Sequence, residues 1–465
     1  MVGIRAAQYT SDSVTVAAQE IPLLSIDYAQ GETDLNFVFF FTAPHGRRRI
    51  PVSRIRESLV QAAQAFPILL GHLTNDGGVW KVVVDPDNIN WPVVTEERAK
   101  THTLARLRRA GFCWKQWPAE THVPDLRTRE SRPMLGVHIV RYACGGVGVH
   151  AKVRHQCMDG SGVWRFFGVW AAACANGRAV PPGPIAGAAP IGCRDVLASA
   201  LSAPTPSAYI DGVSRFLQAA ARVQHSAQSA ERDGSRMARF AMTQCALDRL
   251  KLYYGRLGAC SRSHLPYVRE HNVSFVSTSD LVCALFWRAI ARAHEALFPS
   301  DPHTCMMLAC DVRARIAVPL AYCGNASFPL IIHAGKKHVL GETITDTATR
   351  IRSHVGLLSA ELVQSTLEFM AAPESMRALV EMFQPGKAFF SASIINKIPM
   401  FESMNFGFGR PVHVDIPPYL GPGFSIWMPT RSAKQPLVVN LALNNSVLAL
   451  VRDDPEFRRF VDILS

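Results

Sequence analysis

"GVGVHAKVRHQCMDGSGVWRFF", residues 146–167, changes rhythm halfway through. From Gly146 to Arg154 it alternates: Val147, Val149, Ala151 and Val153 fall on one side and His150, Lys152 and Arg154 on the other, the period of a strand laid on a core. By the same parity His155 continues the inward side. Beyond the turn the spacing lengthens, and Val163, Phe167, Trp170 and Cys174 share one face of a helix over about 161–175 that Asn176 and Gly177 end. The reading is strand, tight turn, helix, with a histidine where the strand stops and an aspartate four residues later.

Outward from this unit the same two periods recur. "FVFFFT" (37–42) and "VWKVVV" (79–84) read as strands, and "SRIRESLVQAAQAFP" (53–67) as a helix with Ile55, Leu59, Ala62 and Phe66 on one face. Proline, glycine and small residues over 178–207 mark a linker or crossover loop. A second unit follows, with helical patterns at 209–225 and 278–297, where Ser279 or Asp280 is placed to cap the start. "TCMMLACDV" (304–312) and "PLVVNLAL" (436–443) read as buried strands, and Asp454 with Pro455 opens a last helix. The class is mixed α/β without the strict rhythm of a doubly wound domain.

A chain of 465 residues, 48% apolar and 18% charged, is a globular protein with room for two domains. Its formal charge of +12 favours anionic partners, but the densest basic run is three arginines at 47–49 and no zinc-finger spacing occurs, which argues against nucleic acid. A phosphate-bearing small molecule such as coenzyme A fits the charge as well. The first 20 residues lack the apolar stretch of a signal peptide, and "FVFFF" (37–41) is far short of the roughly 20 residues of a membrane span, so a soluble, cytoplasmic protein is expected. The eleven cysteines never form the close pairs of zinc sites and are expected to be reduced. The sequons at Asn272, Asn325 and Asn444 are read as chance matches.

Histidine is the side chain whose free pKa, about 6.5, best suits it to take a proton from a hydroxyl or amine at neutral pH. At the end of an inward-facing strand, His155 is therefore a candidate general base. Asp159 fixes the turn, either by accepting backbone N–H groups at the helix start or by pairing with a distant arginine, and Gly160 permits a tight turn. A bare H-x-x-x-D-G arises by chance in roughly a few per cent of chains this long, so context must decide. Cys157 reads as a filler of the turn and His72 as a surface or domain-packing residue. The opposite parity of His150 keeps it from joining His155 and Cys157 around a metal.

The context is a series of ordered segments. "PLLSIDYAQGETDLNFVFFF", "LVQAAQAFPILLGHLTNDGGVW", "HQCMDGSGVWRFFGVWAAACANG", "TSDLVCALFWRAIARA", "DVRARIAVPLAYCGNA", "NFGFGRP" and "DPEF" lie in that order from about 20 to 460. Together they resemble the BAHD acyl-CoA-dependent acyltransferases, relatives of chloramphenicol acetyltransferase and of peptide-synthetase condensation domains, whose signature is H-x-x-x-D-G.

This resemblance implies two chloramphenicol acetyltransferase-like mixed-sheet domains with the active site at their interface. They would comprise residues 1–180, completed by a returning segment near 406–430, a linker over 181–207, and residues 208–465. His155 would be the general base of a ternary complex, with Asp159 and Gly160 holding its turn and Arg313 or Arg315 pairing with Asp159. Where the family has D-F-G-W-G, this chain has Asn405 and Phe408 but keeps Gly407 and Gly409, so altered support of the fold is expected rather than lost chemistry. Ser391, Ser393 and Asn396 are candidate oxyanion donors, and Lys251, Thr278 and Ser279 candidate contacts to coenzyme A. The implied reaction moves an acyl group, acetyl by first choice, from acyl-CoA to a hydroxyl, or secondarily an amine, of a small specialised metabolite. An acyl carrier protein as donor, or a scaffold without transferase activity, are the alternatives. A monomer needing no metal, nucleic acid or membrane is expected.

Overall fold

Five consecutive residues, Phe37 to Phe41, are at most 4% exposed, so the strand that carries them is covered on both faces. In the computed structural model, which describes residues 16–30, 33–43, 50–76, 79–118, 133–177, 234–256, 273–371, 387–418, 421–432 and 434–464, the chain divides into two units. The first comprises Met1–Ser199, Ala317–Ser327 and Ile398–Pro417, the second Ala200–Ile316, Phe328–Lys397 and Pro418–Ser465. The linker expected over 181–207 and the helix expected over 209–225 lie outside the described residues.

Strands are numbered in chain order. The first unit holds β1 (Gln19–Pro22), β2 (Asp34–Phe41), β3 (His72–Asp76), β4 (Val79–Val84), β5 (Val93–Ala99), β6 (Leu135–Tyr142), β7 (Val147–Arg154) and β12 (His413–Asp415). Its main sheet has the order β12-β2-β7-β6-β5, antiparallel except for the parallel pair β5-β6, and β1-β4-β3 form a small second sheet. On one face of the main sheet Phe37 and Phe39 meet Phe167 edge-on at 5.8 and 5.3 Å. Phe167 belongs to the helix Gly160–Asn176, which packs beside the helix Val52–Gln64, with Trp170 Nε1 donating to the Ile55 carbonyl at 3.0 Å. On the opposite face Val38, Phe40, Val140 and Tyr142 join Leu104, Leu107 and Phe112 in a second apolar cluster. The polar side of β7 is consequently as buried as its apolar side, with His150 at 0% and Arg154 at 3% exposure.

In the second unit β8 (Ser235–Met242), β9 (His303–Asp311), β10 (Ser327–Gly335), β11 (Phe389–Ile394), β13 (Phe424–Met428), β14 (Leu437–Asn444) and β15 (Asp462–Ile463) form one sheet in the order β10-β9-β11-β13-β14-β8-β15. β9, β11 and β13 run parallel, whereas the pairs β13-β14, β14-β8 and β8-β15 are antiparallel. The helix Thr278–Leu297 lies on this sheet, Phe286 stacking on Phe390 at 6.0 Å and Trp287 Nε1 donating to Thr304 Oγ1 at 2.7 Å. Its N-cap is Ser277, two residues before Ser279 and three before Asp280, the caps expected; Asp280 is the third helical residue and closes a capping box by accepting from the Ser277 N–H at 2.7 Å. Asp454 and Pro455 open the last helix as expected, Asp454 accepting from Phe457 N at 2.8 Å.

Among the described residues no helix is long and apolar enough to cross a membrane. The described cysteines are all free thiols, and burial pushes Cys305 and Cys310 up to about 12. Asn325 and Asn444 are 0% and 5% exposed, which leaves no room for a glycan on the folded chain; Asn272 lies outside the described residues.

Candidate active site

β7 ends at Arg154, and residues 155–157 turn the chain into the helix Gly160–Asn176. His155 still belongs to the sheet edge, its N–H donating to the Thr33 carbonyl at 3.0 Å. Its side chain is half-buried, with Nδ1 sealed from solvent. Burial pushes its pKa below the usual 6.5, against the opposing pull of its own backbone carbonyl, Asp159, Asn325 and Asp27. A neutral imidazole at pH 7 has one ring nitrogen with a free lone pair, the state a general base requires.

Asp159, 2% exposed, is the N-cap of the helix. Oδ1 accepts from Gly162 N and Oδ2 from Ala326 N, both at 2.9 Å. One carboxylate therefore closes the turn and ties it to the segment Ala317–Ser327. Both bonds come from backbone N–H groups, one of the two roles expected for Asp159. Arg313, 1% exposed, pairs with Asp311 at 3.1 Å, and the exposed Arg315 donates to the Leu358 carbonyl at 3.0 Å.

The same segment supplies a residue to which sequence reasoning assigned no role. Asn325 is fully buried, and its Nδ2 donates to Asp27 Oδ1 at 2.9 Å and to the His155 carbonyl at 2.8 Å. Asp27, also fully buried, accepts from Leu24 N at 2.7 Å. Asn325 thus holds the backbone of the histidine from one side, while Asp159 holds the turn from the other. Both residues stand inside the segments quoted for the family, the one signal that pointed towards them.

The close contact also names the glycine that the site demands. Gly160 is the first helical residue, without a positive φ. At Gly162, by contrast, an added Cβ would stand 1.9 Å from the Cys323 carbonyl oxygen and 2.8 Å from its carbon. The close approach that requires glycine is therefore at Gly162. Cys157 is 1% exposed and fills the turn, and His72 is half-buried, its Nε2 2.9 Å from the Asn88 carbonyl oxygen.

The far end of the helix is braced by "NFGFG". Asn405 Oδ1 accepts from Gly407 N at 3.0 Å and from Gly409 N at 3.2 Å, in a loop whose glycines have φ of 86° and 110°. Phe406 meets Trp170 at 4.9 Å, and Phe406 and Phe408 both meet Phe41 edge-on. For these bonds the asparagine uses only its carbonyl oxygen, an acceptor that aspartate also carries.

The remaining candidates lie in the second unit. Ser391, on β11, is 1% exposed and its carbonyl accepts from Ser425 Oγ at 2.6 Å; Ser393 and Asn396 are half-buried, in β11 and the turn after it. Lys251 is exposed on the helix Gln244–Tyr254, and Thr278 and Ser279 are half-buried in the first turn of their helix. Among the described residues no three His, Cys, Asp or Glu side chains group as a metal site requires.

Two mixed α/β units, with a histidine at the end of a buried strand in H-x-x-x-D-G, define the class: a chloramphenicol acetyltransferase-like protein. The chain matches the Transferase family over residues 1–458 and belongs to it, the group of acyl-CoA-dependent acyltransferases called BAHD. It is 26% identical over 314 residues to hydroxycinnamoyl-CoA:5-hydroxyanthranilate N-hydroxycinnamoyltransferase of Avena sativa, a match covering 66% of this chain and 62% of the relative. The chain thus spans about three fifths of that relative's length. It is 22% identical to anthranilate N-benzoyltransferase protein 2 of Dianthus caryophyllus, over 69% of this chain and 68% of the relative. In fold it resembles F. graminearum TRI101 complexed with coenzyme A and deoxynivalenol, with a TM-score of 0.74 and 16% identity over 96% of this chain and 100% of the other.

Proposed function

We propose that this protein transfers an acyl group from coenzyme A to a hydroxyl or amine of a small specialised metabolite, with His155 as general base and no covalent acyl-enzyme. The observation that carries this is the histidine kept neutral by burial while Asn325 and Asp159 fix its backbone and its turn. His155 takes the proton of the acceptor as its oxygen or nitrogen bonds to the thioester carbonyl carbon. The tetrahedral intermediate then collapses, the C–S bond breaks, and the thiolate leaves with the proton from His155. General-base assistance of this kind is worth roughly 10²–10⁴ in rate. Ser391, Ser393 and Asn396 are the donors proposed for the oxyanion, and Lys251, Thr278 and Ser279 the contacts proposed for the nucleotide and pantetheine. The names of the oat and carnation relatives, an N-hydroxycinnamoyltransferase and an N-benzoyltransferase, support an amine acceptor. Acetyl remains the donor we favour, and the free thiols support a reducing, cytoplasmic setting.

The experiment offers purified protein a panel of acyl-CoAs with a metabolite extract and follows thiol release together with product mass. Release that needs both the extract and His155 is expected. No release from any donor, or release unaltered in His155→Ala, would overturn the proposal.

A further inference from the structure

Residues 98–118, "RAKTHTLARLRRAGFCWKQWP", hold six lysines and arginines and no aspartate or glutamate. Half of the formal charge of +12 therefore arises in this short stretch, a concentration that runs of consecutive basic residues conceal because apolar residues stand between them. Arg98, Lys100, Arg106, Arg108, Arg109 and Lys115 are all exposed, and among the described residues none of them makes an ion pair. Of the two glutamates just before the stretch, Glu96 pairs with Arg56 and Arg141, which leaves the half-buried Glu97. The helix Leu104–Arg109 turns Leu104 and Leu107 into the apolar cluster that also holds Phe112, so its arginines face outward. Arg106 Nη2 donates to Gln116 Oε1 at 3.2 Å, which sets the turn Trp114–Gln116, and Lys115 with it, against this helix. Trp114 Nε1 donates to the Ile416 carbonyl at 3.1 Å and Trp117 Nε1 to the Phe112 carbonyl at 3.0 Å, so the cationic face is backed by a fixed loop. The adjoining hairpin, docked through Ala143 N and the His102 carbonyl at 3.0 Å, adds no acid over residues 143–146. Cations in the last turn of a helix are favoured by its dipole, but that effect accounts neither for Lys100 and Lys115 nor for the missing acids.

We propose that this face of the first unit docks on anionic lipid, so that the protein adsorbs reversibly to a membrane leaflet rich in such lipid. Specific protein interfaces centre on anchors, aromatic side chains above all, that fill a partner's pockets, and single-stranded nucleic acid is held on exposed aromatic platforms. No exposed large apolar side chain of the described residues falls in this stretch, where Trp114 and Trp117 are half-buried with their N–H groups turned inward. A face of cations without anchors matches a diffuse layer of negative charge, to which each lysine or arginine near the surface adds about fivefold in affinity. Among the described residues no helix can span a membrane, and adsorption through surface charge needs none. The sequence expectation of no membrane partner rests on the lack of a span, and the charge distribution replaces it.

Co-sedimentation with vesicles tests this, using phosphatidylcholine alone and phosphatidylcholine mixed with phosphatidylserine. Wild type is expected to bind the mixed vesicles at low salt, to leave the neutral ones unbound, and to be released as salt screens the charges. Arg108→Gln, Arg109→Gln and Lys115→Gln together are expected to weaken binding about 10²-fold at an unchanged melting temperature, since these side chains are exposed and make no ion pair. Arg108→Lys with Arg109→Lys keeps the charge and is expected to bind as wild type does. Lys337→Gln, Lys434→Gln and Arg458→Gln together remove the same charge from exposed positions of the second unit and are expected to keep most of the affinity. Equal loss in the two triple variants, loss in the lysine variant, equal binding to both kinds of vesicle, or binding to neither would each overturn the proposal. So would tighter binding of duplex DNA or polyglutamate that the first triple variant loses, which would give the face to nucleic acid or to an acidic protein. Binding is read without substrate, so the outcome is independent of the acyl-transfer reading.

Discussion

Gly162→Ala sets two effects of opposite sign against each other. Within a helix, alanine is ordinarily better than glycine by about 1 kcal/mol, so the substitution should stabilise wherever there is space. Here the new Cβ would stand 1.9 Å from the Cys323 carbonyl oxygen, 2.8 Å from its carbon and 2.9 Å from Met158 Cβ, and the first two are backbone atoms that no rotamer change can move. Relieving the overlap requires the helix start and the segment Ala317–Ser327 to separate by more than about 1 Å. Overpacking of this kind costs about 1–3 kcal/mol. The separation also breaks or lengthens the Asp159–Ala326 bond of 2.9 Å, a charge-assisted bond worth about 1.5–3 kcal/mol. The clash therefore outweighs the propensity gain, for a net loss of about 2–4 kcal/mol. The histidine carbonyl is held by Asn325 of the same segment, and displacing reacting groups by about 1 Å costs on the order of 10² in rate. Urea denaturation and kcat measured on one preparation provide the test. A variant as stable as wild type or more so, with an unchanged kcat, would refute the close approach of these segments and with it the described anchoring of the turn.

Asn325→Ala removes a donor from both Asp27 and the His155 carbonyl; kcat should fall about 10- to 10²-fold, from about 1–3 kcal/mol of lost buried hydrogen bonding, and an unchanged kcat would exclude a positioning role. Asn325→Asp should be worse than Asn325→Ala, since it sets a second carboxylate against Asp27, and steady-state kinetics of the pair rank them. Asn405→Ala should lower stability by about 1–2 kcal/mol through the loss of both loop bonds, with Asn405→Asp close to wild type in thermal melts. Because Asp27 raises the pKa of His155, Asp27→Asn should move the acid limb of kcat/KM to lower pH; movement to higher pH would contradict the arrangement.

The centre of the site was legible because its sequence changes period at a single place. Alternation up to Arg154 and helical spacing beyond Ser161 leave only a turn between them, so His155 and Asp159 had few places to be. Asn325 carried no such signal, since its partners are 298 and 170 residues away and periodicity says nothing about which distant segment closes a turn. Nor did alternation reveal that His150 and Arg154 are buried, because their cover comes from the opposite face of the sheet, where Leu104, Leu107 and Phe112 pack. The shift of the N-cap from Ser279 or Asp280 to Ser277 has a local cause: "STSD" offers several capping residues in succession, and only the capping box selects among them.

The most direct test of the central claim is the pH dependence of kcat/KM for thiol release from acyl-CoA in wild type and in His155→Ala, with an acceptor found in the panel. Burial holds His155 below 6.5, so activity should be level through neutral pH and decline only as pH falls below that value and the imidazole takes up a proton. In His155→Ala the rate should drop by about 10²–10⁴ and the acid limb should vanish. An acid limb that survives the substitution, or a rate that does not fall, would contradict the assignment of His155 as the base.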